Sequence, residues 1–140
     1  MGRWAVEPGL LPDALVSVVS SVGWDRATVA AVCRAAHLST GVFYPRYSSL
    51  EGAGLAVWED RLRASLVGAL AELAVVPELG RRGDFVVGMT DMASGRPELL
   101  AAVELVLASR FSPGLGMIWQ EFRTLLDDLV SGQPVERAAA

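Results

Sequence analysis

A tight corner between two short helical patterns constrains this chain more than any other stretch of it. Val29, Val32, Cys33 and Ala36 fall at i, i+3, i+4 and i+7, one apolar stripe of a two-turn helix. Thr28 stands just before the stripe, where a hydroxyl caps the first free backbone N–H groups. The corner is His37-Leu38-Ser39; if its first residue takes a left-handed backbone, His is among the few non-glycine types enriched there. Ser39 is then positioned to cap a second short helix carrying Val42, Phe43 and Tyr44. Two helices joined this closely read as a helix-turn-helix.

The flanking sequence extends the helical reading in both directions. Residues 1–9 read as an arm ending at Pro8-Gly9. Pro12 suits the first position of a helix whose stripe is Ala14, Leu15, Val18, Val19 and Val22, and Gly23 ends it. Trp24 is expected to pack beneath the second helix, and Cys33 to be a small core residue. Pro45 lacks an N–H and biases Tyr44 away from helical angles, so the second helix of the corner should be short or end at Tyr44. Ser48-Ser49-Leu50-Glu51 reads as a capping box, with Ser48 as cap and Glu51 reaching back. A long helix follows with Leu55, Trp58, Leu62, Leu66, Ala69, Leu70 and Leu73 on one stripe, stopping by Pro77. Asp84 can cap a helix carrying Phe85, Met89 and Met92. Pro97 opens another with Leu99, Leu100, Val103, Val106 and Leu107 on its face. Ser112-Pro113 starts the last, whose stripe runs Leu115, Ile118, Trp119, Phe122, Leu125, Leu126 and Leu129 before Gly132 and Pro134 close it. No strand pattern or repeat occurs. The expected architecture is all-α: a three-helix N-terminal unit over residues 1–50 and a helical bundle over 51–140, about seven helices together.

Residues 23–51 resemble the DNA-binding domain of the tetracycline-repressor-like (TetR) family of bacterial regulators. That family's pattern is a Gly-aromatic pair, a Thr opening the second helix, then Ile-Ala, Ala-Gly-Val-Ser and Gly-x-x-Tyr-x-x-Phe. Here these stand as Gly23-Trp24, Thr28, Val32-Cys33, Ala36-His37-Leu38-Ser39, and Gly41 through Tyr44 to Tyr47. The resemblance implies DNA contacts from Thr28, Ser39, Thr40, Val42 and Tyr44, with Tyr47 packed inside; spacing alone does not separate the roles of Tyr44 and Tyr47. Arg34 and Arg46 are the further candidate phosphate contacts. It also implies a connecting helix after residue 50 that transmits ligand binding, and a homodimer. The family's usual pair of long C-terminal dimer helices lies beyond where this chain ends by helix count. Two positions depart from the pattern: Ala30 stands at a base-contacting place, and Leu50 where a Lys is usual.

Charge and chemistry narrow the function classes. All 12 basic residues are Arg, and the net charge is −4. Residues 1–58 balance Arg3, Arg26, Arg34 and Arg46 against Glu7, Asp13, Asp25 and Glu51. A neutral head is a weak electrostatic footprint for DNA, whose affinity comes mainly from cations that displace counterions. No uncharged run approaches the roughly 20 residues of a membrane span. One cysteine excludes an internal disulfide, and a cytoplasmic location is the expectation. His37 has no nucleophile or metal-ligand partner at meaningful spacing. Asp127-Asp128 point different ways on a helix, and Gly114-Leu115-Gly116 follows no strand, so no enzyme, cofactor or metal site is expected. Two readings follow. In one the protein is a transcriptional regulator, a repressor in the family's usual mode, that binds double-stranded operator DNA as a dimer and is modulated by a small apolar ligand held near Met89, Met92, Trp119 and Phe122. In the other the helix-turn-helix is a relic and the protein acts by binding a partner chain.

Overall fold

The structure, a computed structural model, describes residues 7–74, 88 and 91–132. Seven α-helices are described: α1 (Leu10–Val22), α2 (Val29–Ala35), α3 (Thr40–Phe43), α4 (Leu50–Val57), α5 (Arg63–Ala74), α6 (Pro97–Ser109) and α7 (Gly116–Val130). There is no strand among the described residues, so the all-α expectation holds. The expected cap at Asp84, the helix positions Phe85 and Met89, the stops at Pro77 and Pro134, and Arg3 in the arm lie outside the described residues.

α1 begins two residues before Pro12, with Gly9 at its N-cap, so Pro12 occupies the third position rather than the first. Its missing N–H costs nothing there, because the opening N–H groups of a helix have no intrahelical acceptor. Gly23 ends α1 at φ 82, a left-handed conformation that a side chain would resist. Leu11, Leu15 and Val19 are buried on the inner face, whereas Val22 is 48% exposed and leaves the predicted stripe.

α6 is the axis of the molecule, packing on α1, on both halves of the long helix and on α7. Its buried face is Leu99, Ala101, Ala102, Leu105, Val106 and Ser109. The predicted face is therefore rotated. Leu99 and Val106 are buried as expected, but Leu100 and Leu107 are exposed and Val103 is half-buried. Large apolar residues draw a stripe in sequence. Here the small side of the helix faces inward, where Ala101 and Ala102 let neighbouring backbones approach.

The long helix is also not the single α-helix its stripe implies. α4 passes into a π turn over Trp58–Leu62 before continuing as α5. Ala53 and Val57 are buried before the turn, and Leu62, Leu66 and Leu70 after it. Val57 to Leu62 is a five-residue step between inward positions, the register change that one π turn produces. Leu55, on the unbroken stripe, is only half-buried. Polar contacts fasten the turn on three sides. Trp58 donates its indole N–H to Glu121 Oε2 at 2.8 Å, and Arg63 pairs with the same carboxylate at 3.1 Å. Arg61 reaches Asp13 on α1 and lies 3.8 Å from Glu98 on α6.

The start of α4 corrects a second expectation. Ser49, not Ser48, is the cap, accepting from the Gly52 N–H at 3.0 Å. Glu51 does not fold back into a box; its side chain lies against Gly114, where an added Cβ would sit 2.9 Å from Glu51 Cγ. One cluster of buried side chains runs from α1 through α7 and crosses residue 50 without interruption.

Candidate nucleic-acid interface

The α2–α3 unit is built by three local devices. Thr28 is extended, at φ −133 and ψ 157, and its Oγ1 accepts the Ala31 N–H at 3.0 Å, which starts α2. Val32 and Cys33 are buried beneath that helix, and burial pushes the Cys33 thiol above its ordinary pKa of 9.0. At the other end His37 takes φ 57. Its N–H bonds the Arg34 carbonyl at 3.1 Å, while the Leu38 N–H bonds the Cys33 carbonyl at 2.9 Å. These are the paired closures of a Schellman motif, with His37 in the place glycine usually holds. Leu38 packs partly against the core, and so fixes the exit direction of the chain.

α3 is a single turn. Ser39 occupies its N-cap position but makes no side-chain hydrogen bond, contrary to the expected cap. The Ser39 carbonyl, not its hydroxyl, holds the turn, accepting the Val42 N–H at 3.1 Å. The helix ends at Phe43, and Tyr44 still has helical angles despite Pro45 after it, at φ −64 and ψ −33. The Arg46 and Tyr47 N–H groups both converge on the Phe43 carbonyl, and this tight closure outweighs the bias from the proline. Phe43 is wholly buried and anchors the turn, its ring centroid 5.5 Å from each of Tyr44 and Tyr47. The structure separates the two tyrosines: Tyr44 is 55% exposed, and Tyr47 packs against the core.

The predicted contact residues divide accordingly. Thr28, Arg34, Ser39, Thr40, Tyr44 and Arg46 are all exposed, as are Gly41 and Ala30. Val42 is half-buried against the core, and Leu50 likewise packs inward at the head of α4. Arg46 is partly engaged, donating to the Pro8 carbonyl at 3.1 Å and lying 5.6 Å over the Tyr47 ring. Trp24 does not lie beneath α2. Its ring covers Gly54 on α4, and its backbone N–H donates to Glu104 of α6 at 3.1 Å.

Charge pairing changes the neutral balance that the sequence presents. Asp13 is held by Arg61 from beyond residue 58, and that contact raises the Arg61 pKa, chiefly through the hydrogen bond to Asp13. Arg26, Arg34 and Arg46 are exposed and join no ion pair among the described residues. Arg26, in the short 3₁₀ turn Trp24–Arg26 before α2, is a cation that the sequence pattern does not single out. Its position beside the Thr28 cap is the signal that identifies it.

Compared with known proteins, the chain matches no protein-family profile, no curated protein and no solved structure. Among the described residues no cluster of His, Cys, Asp or Glu could hold a metal ion, and no helix is long and apolar enough to cross a membrane.

The candidate ligand residues are only partly described. Met92, Trp119 and Phe122 each pack against the core, with the two rings 5.8 Å apart, and Met89 lies outside the described residues. A groove of about 340 Å³ lies elsewhere, between α5 and the start of α6. Its lining is mixed: Ser65 donates to Glu98 at 3.3 Å, and Arg96 pairs with Glu72 at 3.6 Å beside Gly68 and Ala69.

Proposed function

We propose that this chain is a transcriptional regulator that docks its α2–α3 unit on double-stranded DNA, in the manner of the TetR-like proteins its sequence resembles. The observation that carries the reading is the division of labour within the one-turn α3. Phe43 and Tyr47 hold the turn from inside, which leaves Thr40, Gly41 and Tyr44 facing outward on a corner with a fixed backbone. The chemistry suits phosphate. Thr28 Oγ1 accepts from the backbone, and its hydroxyl proton remains free to donate outward. Tyr44 supplies a second hydroxyl donor, and Arg26, Arg34 and Arg46 supply cations outside the ion pairs of the described residues. Contacts of this kind position a protein on duplex without reading sequence. Base reading in this proposal falls to Thr40, since a single helical turn inserts few side chains into a major groove. The affinity should therefore be dominated by phosphate contacts and strongly dependent on salt.

The test is fluorescence anisotropy with duplex from the intergenic DNA upstream of the protein's own gene, beside a scrambled duplex, at two salt concentrations. The expected result is selective binding that weakens as salt rises, with Tyr44→Phe lowering affinity on both duplexes and Thr40→Ala lowering selectivity. Folded protein that shows no preference across tiled upstream fragments at low salt would overturn the reading.

A further inference from the structure

Two helices carry apolar rows that the fold leaves uncovered. On α6, Leu100, Val103, Leu107 and Phe111 recur at steps of three, four and four, one stripe along the helix and just beyond its end. Leu107 is 56% and Phe111 84% exposed. On α7, Trp119, Phe122, Leu126 and Val130 repeat the same steps; the first three are half-buried and Val130 is 87% exposed. The stripes meet where the helices meet. The Arg110 guanidinium lies 5.6 Å over the Phe111 ring and 5.2 Å over the Trp119 ring, so one continuous surface spans both helices.

We infer that this α6–α7 face is the seam between two copies of the chain, related by a two-fold axis with their α7 helices antiparallel. Three observations select a second copy as the occupant. The first is area. At the exposures above, the two stripes leave roughly 600 Å² of apolar surface bare, beyond the few hundred Å² of an ordinary monomer patch. A standard interface covers about 800 Å² per partner, somewhat over half of it apolar. The second is spacing, since alternating three- and four-residue steps on neighbouring helices are the pattern that interlocks with like helices. The third is charge. Arg123 and Asp127 flank the α7 stripe one turn apart, both exposed and in no ion pair among the described residues. An antiparallel pairing with its axis level with Leu125 sets each copy's Arg123 opposite the other's Asp127. Such a self-matched pair is the signature of an isologous interface. The same register brings Trp119 level with Val130 across the seam, while Phe122 and Leu126 pack about the axis.

The seam does not depend on DNA reading, and its test contains no DNA. Light scattering coupled to size exclusion, with sedimentation equilibrium across about 1–100 µM, should give twice the 14.9 kDa chain mass. Leu107→Glu and Phe111→Glu should each raise the dimer Kd at least about 100-fold with unchanged far-UV circular dichroism, as expected for central apolar contacts. Arg123→Asp and Asp127→Arg should each weaken the dimer about three- to tenfold, and the double exchange should restore it to within about twofold. A monomer at every concentration would overturn the inference. So would a dimer indifferent to both Glu substitutions, or a double exchange no tighter than either single one.

Discussion

His37 provides a direct test of how the corner is held. It sits at φ 57 in a closure where glycine is the usual residue, and its side chain is exposed, so changing it removes no buried contact. The left-handed backbone costs an ordinary L-residue about 1–2 kcal/mol, with His toward the low end. His37→Gly relieves about 1 kcal/mol of that, but adds unfolded-chain freedom that takes back about 0.5–1 kcal/mol, so Gly should equal or slightly exceed the natural residue. His37→Val meets the full cost and adds β-branched crowding, and should lose about 1.5 kcal/mol. The Gly-to-Val spread is then about 2 kcal/mol, or roughly 6 °C in Tm for a chain of this size. Thermal melts followed by circular dichroism, with urea titrations beside them, measure it directly. An unchanged m-value together with the order Gly, His, Val would support the assignment. Val as stable as Gly would show that residue 37 is not left-handed in solution, and the Schellman closure onto Arg34 and Cys33 would fall with it.

Thr28→Ala should cost about 1 kcal/mol through removal of the cap on Ala31, and Thr28→Ser should recover most of it in a urea titration. Gly68→Ala, in an open position within α5, should stabilise by about 0.5–1 kcal/mol from helix propensity. Gly54→Ala should gain nothing or lose, because its Cβ would stand 3.1 Å from the Trp24 ring; near-UV circular dichroism of that tryptophan reports the displacement. The folded chain keeps the Cys33 proton at pH values where the unfolded chain loses its own. Its contribution is therefore fully present below the ordinary pKa of 9.0 and declines as pH rises beyond it. Cys33→Ala should flatten that alkaline loss in melts between about pH 8 and 10. In the DNA assay, Arg34→Ala should make the slope of log K against log salt shallower by about 0.9 if its guanidinium neutralises one phosphate.

The N-terminal corner is legible because its determinants are local. A hydroxyl before an apolar stripe, a residue tolerant of left-handed angles and a buried aromatic three residues after Thr40 each act within one or two turns. The same locality explains the small errors. Whether Ser48 or Ser49 caps α4 depends on one residue of register, and Ser39 leaves its cap unused because the Ser39 carbonyl already closes the turn. Errors are larger where packing partners decide. The face of α6 is not readable from its large apolar residues, because α1 and α5 select the side lined by Ala101 and Ala102. The π turn is hidden because Leu55, Trp58, Leu62 and Leu66 alone make an acceptable unbroken stripe; only the burial of Val57 five residues before Leu62 exposes the shift.

The charge balance misleads for a related reason. A sum over residues 1–58 treats Asp13 as belonging to the N-terminal unit, and the unit then looks neutral. In the fold Asp13 answers Arg61, a residue set in the π turn and further anchored near Glu98. Its charge therefore joins α1 to the long helix and does not cancel an arginine near the corner. The cations at Arg26, Arg34 and Arg46 remain unmatched by any ion pair among the described residues. The Arg61 contact also fixes how α1 sits relative to the long helix. Because α2 packs on α1, the orientation of the α2–α3 corner follows from that contact too. Breaking it with Arg61→Ala would change two things at once: an unpaired Asp13 would add negative charge to the unit, and the corner would lose one of its supports. Asp13→Asn separates them, since it removes the support without leaving the charge. On the proposed reading Arg61→Ala should weaken DNA binding more than Asp13→Asn does, and equal effects would assign Arg61 to support alone.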